Sequence, residues 1–141
     1  MLSVTLICVG NLKEKYLREA VAEYEKRLCA FCRFKTVELK DNTPIMPYLP
    51  ARAKKIALCV EGKQKSSEEL AEFIDNVGNE GISEVCFVIG AFDGLPEEVK
   101  AACDMRLSFS KMTFPHQLMR VILAEQIYRA MTILAGKKYH K

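Results

Sequence analysis

The residues with the clearest chemical potential lie at three points where a buried strand is predicted to pass into a loop. They are L-C-V-E-G at 58–62, G-A-F-D-G-L at 90–95 and F-S-K-M-T-F at 109–114. In sheets of parallel strands, ligands bind beside the carboxyl ends of the strands. Glycine in such a loop lets a ligand approach backbone N–H and C=O groups. The three segments therefore predict one ligand site, although tight turns alone would also explain the glycines.

The carboxyl-terminal quarter of the chain is predicted to face an anionic partner. Residues 105–141 hold seven basic side chains and one acidic side chain, a net charge of +6, whereas residues 1–104 carry −3. The closing K-K-Y-H-K places an aromatic ring among cations, as stacking on bases and contact with phosphates require. This distribution favours nucleic acid as the partner. A solvated basic face and a frayed terminal tail are the alternatives.

Several other chemistries lack the residues they need. The sequence has no Walker A motif and no G-x-G-x-x-G, and its only histidines are His116 and His140. Of six cysteines, only Cys29 and Cys32 form a C-x-x-C pair, and no second pair completes a zinc site. We expect two thiols at a helix end with no metal, and a redox role for the pair remains an alternative.

Helix-like and strand-like segments alternate along the chain. The predicted strands are 3–9, 33–39, 56–60, 85–89 and 106–109. The predicted helices are 13–28, 66–79, 96–102 and 115–135, with one helical turn at 51–55 after a proline-rich loop at 41–50. S-S-E-E at 66–69 is typical of a capping box at the start of the second helix. The alternating order predicts an α/β protein with a mostly parallel sheet flanked by helices. The alternating pattern of 33–39 is typical of an edge strand.

The last predicted helix is apolar on nearly all of its faces. A helix of that kind must be buried all round. Since a chain of 141 residues can hardly enclose a helix so close to its own terminus, we expect a homodimer interface there. The length suits a single domain over 1–141. No apolar run is long enough for a bilayer and no basic region precedes the first strand, which predicts a soluble cytoplasmic protein without membrane contact.

Three stretches of this sequence carry a resemblance to a known family. They are V-I-G-A-F-D-G-L at 88–95, S-F-S-K-M-T-F-P-H-Q-L-M-R-V-I-L-A-E-Q-I-Y-R-A at 108–130, and the closing Y-H-K. Together they resemble the RlmH family of SPOUT-class methyltransferases, which methylate N3 of a pseudouridine in 23S ribosomal RNA. L-C-V-E-G-K at 58–63 resembles the family's middle strand, so the likeness covers nearly the whole chain.

The resemblance implies a fold, a cofactor and a set of contacts. The fold would be an α/β knot, a trefoil near the carboxyl terminus, and the substrate would be the assembled ribosome. The cofactor would be S-adenosylmethionine. Its contacts would fall on Leu58, Gly90, Phe109, Ser110, Lys111, Met112, Thr113 and Phe114. The chain departs from the family at Ala91-Phe92, where a second glycine is usual, and in the shorter region between 39 and 56.

The basic tail would then contact the RNA. We expect Tyr139 and His140 to orient the target nucleotide, from the same subunit or the partner subunit, with Lys138 and Lys141 on phosphate. His116 is expected to be structural, whereas Arg120 is considered for a contact with substrate or cofactor. Glu125 and Arg129 are four residues apart on the last predicted helix, which favours an ion pair. The alternative function is a non-catalytic RNA- or ribosome-binding protein with a degenerate cofactor site, which the Ala91-Phe92 departure keeps open.

Overall fold

The elements of the fold follow the predicted alternation of strands and helices. The structure is a computed structural model that describes residues 1–140. The strands are β1 (Ser3–Val9), β2 (Arg33–Leu39), β3 (Lys54–Gln64), β4 (Glu84–Ile89) and β5 (Met105–Ser108). The helices are α1 (Lys15–Leu28), α2 (Ser67–Asn79), α3 (Glu97–Ala102) and α4 (His116–Leu134), with a short 3-10 helix at Met46–Tyr48. None of the described helices is long and apolar enough to span a membrane.

The five strands form one sheet in the order β2-β1-β4-β3-β5, and every neighbouring pair is parallel. This confirms the predicted parallel α/β sheet and places β2 at an edge, as its alternating pattern indicated. Successive side chains of a strand point to opposite faces. Leu6 and Phe87 therefore pack on the face covered by α2 and α4, while Ile7 and Val88 pack with Val99 of α3 on the other.

β3 pairs with β5 twice, and this double pairing shapes one end of the sheet. Leu58 is the partner of Leu107 in the first stretch, and Lys63 is the partner of the same Leu107 in the second. A strand can pair with one neighbour along each of its two edges. Because Leu107 has two partners in β3, residues 59–62 must cross over β5 to reach its other edge. Gly62 lies on this crossing, where an added Cβ would stand 2.7 Å from backbone atoms of Arg106 and Leu107. The knot itself remains a prediction, and this crossing supports it.

Local signals explain the elements whose bounds were predicted well. Ser66 accepts a hydrogen bond from the Glu69 N–H and the Glu69 carboxylate accepts one from the Ser66 N–H, which is the predicted capping box at the start of α2. Gly81, at φ +81°, follows that helix. The helical turn predicted at 51–55 is wrong, because Lys54 and Lys55 already pair with β4.

α4 is enclosed within one subunit more completely than its sequence suggested. It packs against both α1 and α2, and Leu123, Ala124 and Ile127 are fully buried. Within 116–134, Leu118 and Leu134 are the large apolar side chains counted as exposed, at 38% and 43%. One subunit nevertheless does not cover this helix on every side, because apolar side chains such as Ile122 and Ile133 are only partly buried. The homodimer stays a prediction that needs other support.

Candidate active site

A cavity of about 640 Å³ lies at the carboxyl ends of β3, β4 and β5. Its volume falls within the roughly 300–1,000 Å³ typical of small-molecule sites. Seven of the eight residues expected to contact a cofactor line it: Leu58, Gly90, Phe109, Ser110, Met112, Thr113 and Phe114. Lys111 belongs to the same loop but is exposed and does not line the cavity. The three predicted strand ends thus meet at one place because the strands are parallel.

Gly90 shapes the loop that forms one wall. A Cβ on Gly90 would stand 2.6 Å from the carbonyl carbon and oxygen of Gly94, so the loop closes on itself only with glycine there. The Gly94 N–H donates to the Ala91 carbonyl at 2.9 Å, and Gly94 has a φ of +85°. The need for glycine at position 90 is therefore set by the loop's own backbone.

The bulky residue in this loop does not fill the cavity. Phe92 is 88% exposed and sits on the cavity rim beside Ala91. The volume given above is measured with both side chains in place. The departure from the family at Ala91-Phe92 therefore leaves room for a small molecule, and this removes the reason for expecting a degenerate site.

The loop 110–114 offers main-chain groups to a ligand. In the part of the chain that the structure describes, two of these groups have protein partners: the Ser110 carbonyl accepts from Ser108 Oγ at 2.9 Å, and the Met112 N–H donates to Ser110 Oγ at 3.0 Å. The remaining N–H and C=O groups can bond the edge of a heterocycle. Apolar walls with exposed main-chain groups fit a nucleoside such as the adenosine of S-adenosylmethionine.

Charged side chains that the sequence did not single out also line the cavity. Glu61 and Lys100 form an ion pair of 2.6 Å, and the hydrogen bond from Lys100 lowers the pKa of the Glu61 carboxyl. Asp93 lies on the loop from 90 to 94. The cavity thus presents both signs of charge, as an amino-acid zwitterion requires. His116, expected to be structural, also lines the cavity.

Arg120 does not reach this cavity. Its side chain is 6% exposed and its Nη1 donates to Glu38 of β2 at 2.7 Å. The idea that Arg120 faces substrate or cofactor is therefore wrong. Its position within a helix could not show which neighbour it would meet, because Glu38 is 82 residues away in sequence.

The tail is docked on α4, and this argues against a frayed terminus. The Tyr139 hydroxyl donates to Glu125 Oε2 at 2.7 Å, and the Tyr139 ring packs edge-on against Tyr128 with centroids 4.7 Å apart. Burial and the hydrogen bond to Glu125 raise the pKa of Tyr139 above its usual range. Glu125 also pairs with Arg129 at 2.8 Å, as their spacing of four residues predicted.

His140 continues the same network. Its Nδ1 lies 3.0 Å from Arg129 Nη1, and its Nε2 lies 3.3 Å from Glu68 Oε1 at the start of α2. Lys138 is exposed, and the predicted phosphate contact Lys141 lies outside the described residues.

The tail and the large cavity are separate within one subunit. Met119 is the cavity-lining residue of α4 nearest the tail, whereas Arg129 holds the tail, and the ten helical steps between them span about 15 Å. A second cavity of about 350 Å³ is lined by Ser67 of α2 and Gln126 of α4. It shares Leu107, Phe109 and Phe114 with the large cavity. The structure does not bring Tyr139 and His140 to the large cavity of their own subunit.

The two thiols of the C-x-x-C pair lie in different environments. Cys29 is exposed and Cys32 is buried, and each thiol lies against the backbone carbonyl four residues earlier in the chain, of Glu25 and Leu28. Burial raises the pKa of Cys32 to about 11, so this thiol is unreactive near neutral pH. Among residues 1–140, no three metal-ligating side chains lie together.

Comparison with known proteins agrees with the fold. A family model described as "Predicted SPOUT methyltransferase" matches residues 2–140. A Clostridium novyi (strain NT) protein named Ribosomal RNA large subunit methyltransferase H is 48% identical over 159 positions, covering 99% of this chain and 100% of that protein. A Bacillus pumilus (strain SAFR-032) protein of the same name is 44% identical with the same coverage. The alignment length exceeds the 141 residues here, in agreement with a segment that is shorter in this chain.

Solved structures of low sequence identity share the fold. A probable methylase family protein from Haemophilus influenzae Rd KW20 superposes with a TM-score of 0.62 at 10% identity, covering 99% of this chain and 70% of that one. A probable methyltransferase from Bordetella pertussis Tohama I gives a TM-score of 0.60 at 12% identity, covering 91% and 95%.

Proposed function

The chain belongs to the SPOUT methyltransferase family, and from this premise we propose that it methylates ribosomal RNA of the large subunit with S-adenosylmethionine. The finer proposal is that the target is N3 of a pseudouridine in 23S rRNA on the assembled ribosome. One observation carries the proposal: the cavity at the ends of β3, β4 and β5, lined by seven of the eight expected contacts. The protein would act in the cytoplasm as a single domain over 1–141.

The cavity residues would hold the cofactor, which supplies an already activated methyl group. Leu58, Gly90 and the loop 109–114 would enclose the adenosine, with main-chain groups of that loop bonding the adenine edge. Glu61 and Lys100 would face the charged amino-acid part. Because the methyl group is activated, the protein has mainly to hold donor and acceptor in line.

The tail would orient the nucleotide. Tyr139 and His140 do not line the cavity of their own subunit, so we propose that they serve the cavity of a partner subunit in a homodimer. Tyr139 would pack against the target base, while Lys138 and Lys141 would contact phosphate. The N3 proton of the target must leave, and nearby hydrogen-bond donors would favour the anion that remains.

The first test is calorimetric titration with S-adenosylmethionine and S-adenosylhomocysteine, followed by methylation of ribosomes isolated without this modification. Thr113→Trp, in the exposed part of the cavity lining, should weaken both ligands by about tenfold or more. Lys111→Trp is the matched control, since Lys111 is exposed in the same loop but does not line the cavity.

The outcomes separate the proposal from its alternative. Micromolar binding that Thr113→Trp weakens, together with methyl transfer to ribosomes, supports an enzyme. Binding to ribosomes with no affinity for either small ligand, in the presence or absence of ribosomes, would replace the proposal with a non-catalytic binding protein.

A further inference from the structure

We propose that Arg129 is a positioning residue that holds Nδ1 of His140 as a hydrogen-bond acceptor, so that the ring carries its proton on Nε2. His140 would then meet the target nucleotide as a hydrogen-bond donor and not as a proton acceptor. This inference rests on the proposed function for its catalytic meaning. The state of the ring, however, follows from the contacts of the tail alone.

The contact with Arg129 decides which ring nitrogen lacks a proton. Arg129 Nη1 lies 3.0 Å from His140 Nδ1. A guanidinium has five N–H donors, no acceptor, and stays protonated in proteins. Because Arg129 can only donate, Nδ1 must accept with its lone pair. If Nδ1 carried a proton, the N–H groups of Arg129 and His140 would face each other with no acceptor between them.

The position of the proton follows from that single bond. A neutral imidazole carries one proton, so a ring whose Nδ1 accepts from Arg129 carries its hydrogen on Nε2. The contact with Glu68 is compatible with this tautomer, because His140 Nε2 lies 3.3 Å from Glu68 Oε1 and a carboxylate oxygen accepts.

Arg129 can impose this state because its own orientation is fixed. Its Nη2 and Nε donate to Glu125 Oε2 and Oε1 at 2.8 and 3.4 Å. Its guanidinium also lies over the Tyr139 ring, 4.9 Å from the centroid. The side chains of Arg129 and Glu125 are only 27% and 17% exposed, so water competes poorly for these bonds. Glu125 thus orients Arg129, and Arg129 orients His140.

The same network makes Tyr139 a donor. Its hydroxyl gives its hydrogen to Glu125, and its raised pKa keeps the phenol neutral. Neither ring of the tail is therefore ready to remove a proton. On binding, an imide oxygen beside N3 would replace Glu68 at the Nε2–H. Glu68 is 66% exposed and easily displaced.

The proposed step balances without a protein base. The N3–H bond breaks and the proton passes to water, leaving negative charge shared between N3 and the adjacent carbonyl oxygens. The Nε2–H of His140 stabilises that charge. The electron pair on N3 then bonds the methyl carbon, and the pair of the breaking S–CH₃ bond stays on sulfur as a neutral thioether.

Nitrogen NMR of the full chain tests the tautomer directly, because the protein has only two histidines. The signals of His140 are those that are missing from the spectrum of His140→Gln. We expect this ring to carry its proton on Nε2 at neutral pH. Arg129→Met should abolish this preference. Arg27→Met is the matched control, since Arg27 has the same pairing with a glutamate four residues earlier and does not contact His140. A ring protonated on Nδ1, or on both nitrogens, would overturn the inference.

Methylation assays on ribosomes test the role. The amide nitrogen of glutamine can donate from a position close to Nε2, but the amide takes up no proton near neutral pH. We expect His140→Gln to remain within about tenfold of the parent and His140→Ala to lose about a hundredfold or more in kcat, the typical cost of a lost oxyanion donor. Equal loss in both variants, or loss in neither, would refute the donor role. A parent protein with no methylation would instead refute the proposed function, while the tautomer result would stand.

Discussion

Replacing Gly62 with alanine tests the crossing of β3 over β5. A Cβ at this position would stand 2.7 Å from Arg106 C, Leu107 N and Leu107 C. All three are backbone atoms of a strand that pairs with β3 on both sides of the crossing. No flexible side chain is available to move away, so one strand must shift by several tenths of an ångström to restore ordinary contact.

The size of the effect can be worked out from this geometry. Overpacking a well-packed site costs about 1–3 kcal/mol, and backbone on both sides puts Gly62→Ala near the upper end. The entropy of unfolding for a chain of this length is about 0.3 kcal/mol/K, so a loss of about 3 kcal/mol lowers Tm by about 10 °C. Because the φ of Gly62 is not in the left-handed region, the cost is steric.

Gly78→Ala is the matched control for this experiment. Gly78 lies in the last turn of α2, and nothing stands within 4 Å of an added Cβ. Alanine there should raise stability by up to about 1 kcal/mol, because glycine is a poor helix former. Both variants are compared by urea unfolding at one protein concentration, since any dimer makes stability depend on concentration. If Gly62→Ala is as stable as the parent, the steric argument for the crossing is wrong.

Three further predictions concern buried charges and thiols. Glu38→Ala should lower the free energy of unfolding in urea by about 2 kcal/mol, because it leaves the buried Arg120 guanidinium without its carboxylate. Among residues 1–140, Arg120 Nε already has no hydrogen-bond partner. An unchanged unfolding midpoint would show that water reaches this arginine. Burial raises the pKa of Cys86 to about 12 from 9.0, so above pH 9 the unfolded thiol ionises before the folded one and stability falls. In Cys86→Ala, the free energy of unfolding should fall less steeply, by about 1.4 kcal/mol per pH unit above pH 9. Plots of stability against pH that run parallel for the variant and the parent would contradict this prediction. Cys59 lines the large cavity, so bound S-adenosylhomocysteine should slow the reaction of the Cys59 thiol with a thiol reagent. The reaction of the exposed Cys29 should be unaffected. Equal slowing of both thiols would place the ligand elsewhere.

Local patterns predicted the elements that local interactions determine. The bounds of β1 and β2 match the predicted strands, and α2 begins at its predicted capping box. β3 runs from Lys54 to Gln64, beyond both ends of the predicted 56–60, because pairing with β4 and with the far edge of β5 extends it. Such pairings depend on chain segments 31 or more residues away. No sequence window of ordinary length contains them.

The site was predictable to a similar depth. Parallel strand ends located the cavity, and the family resemblance named the residues of 109–114 that surround it. The pair of Glu61 and Lys100 was missed because its members are 39 residues apart in sequence. The bond between Glu125 and Arg129 followed from helical spacing, but the contact of His140 with Glu68 depends on the direction the chain takes after Gly136 at φ +69°.

The order of the strands has a consequence for how the chain folds during synthesis. β1 lies beside β4, and the pairing of Ser3 with Glu84 joins residues about eighty positions apart. The loop-closure entropy of such contacts makes folding slow. β1 and β2 leave the ribosome first, but β1 cannot complete its pairing until β4 has been synthesised. The cavity cannot form until β5 and the start of α4 have been synthesised. A nascent chain therefore exposes apolar strands through most of its elongation, which makes early termination products targets for chaperones and proteases.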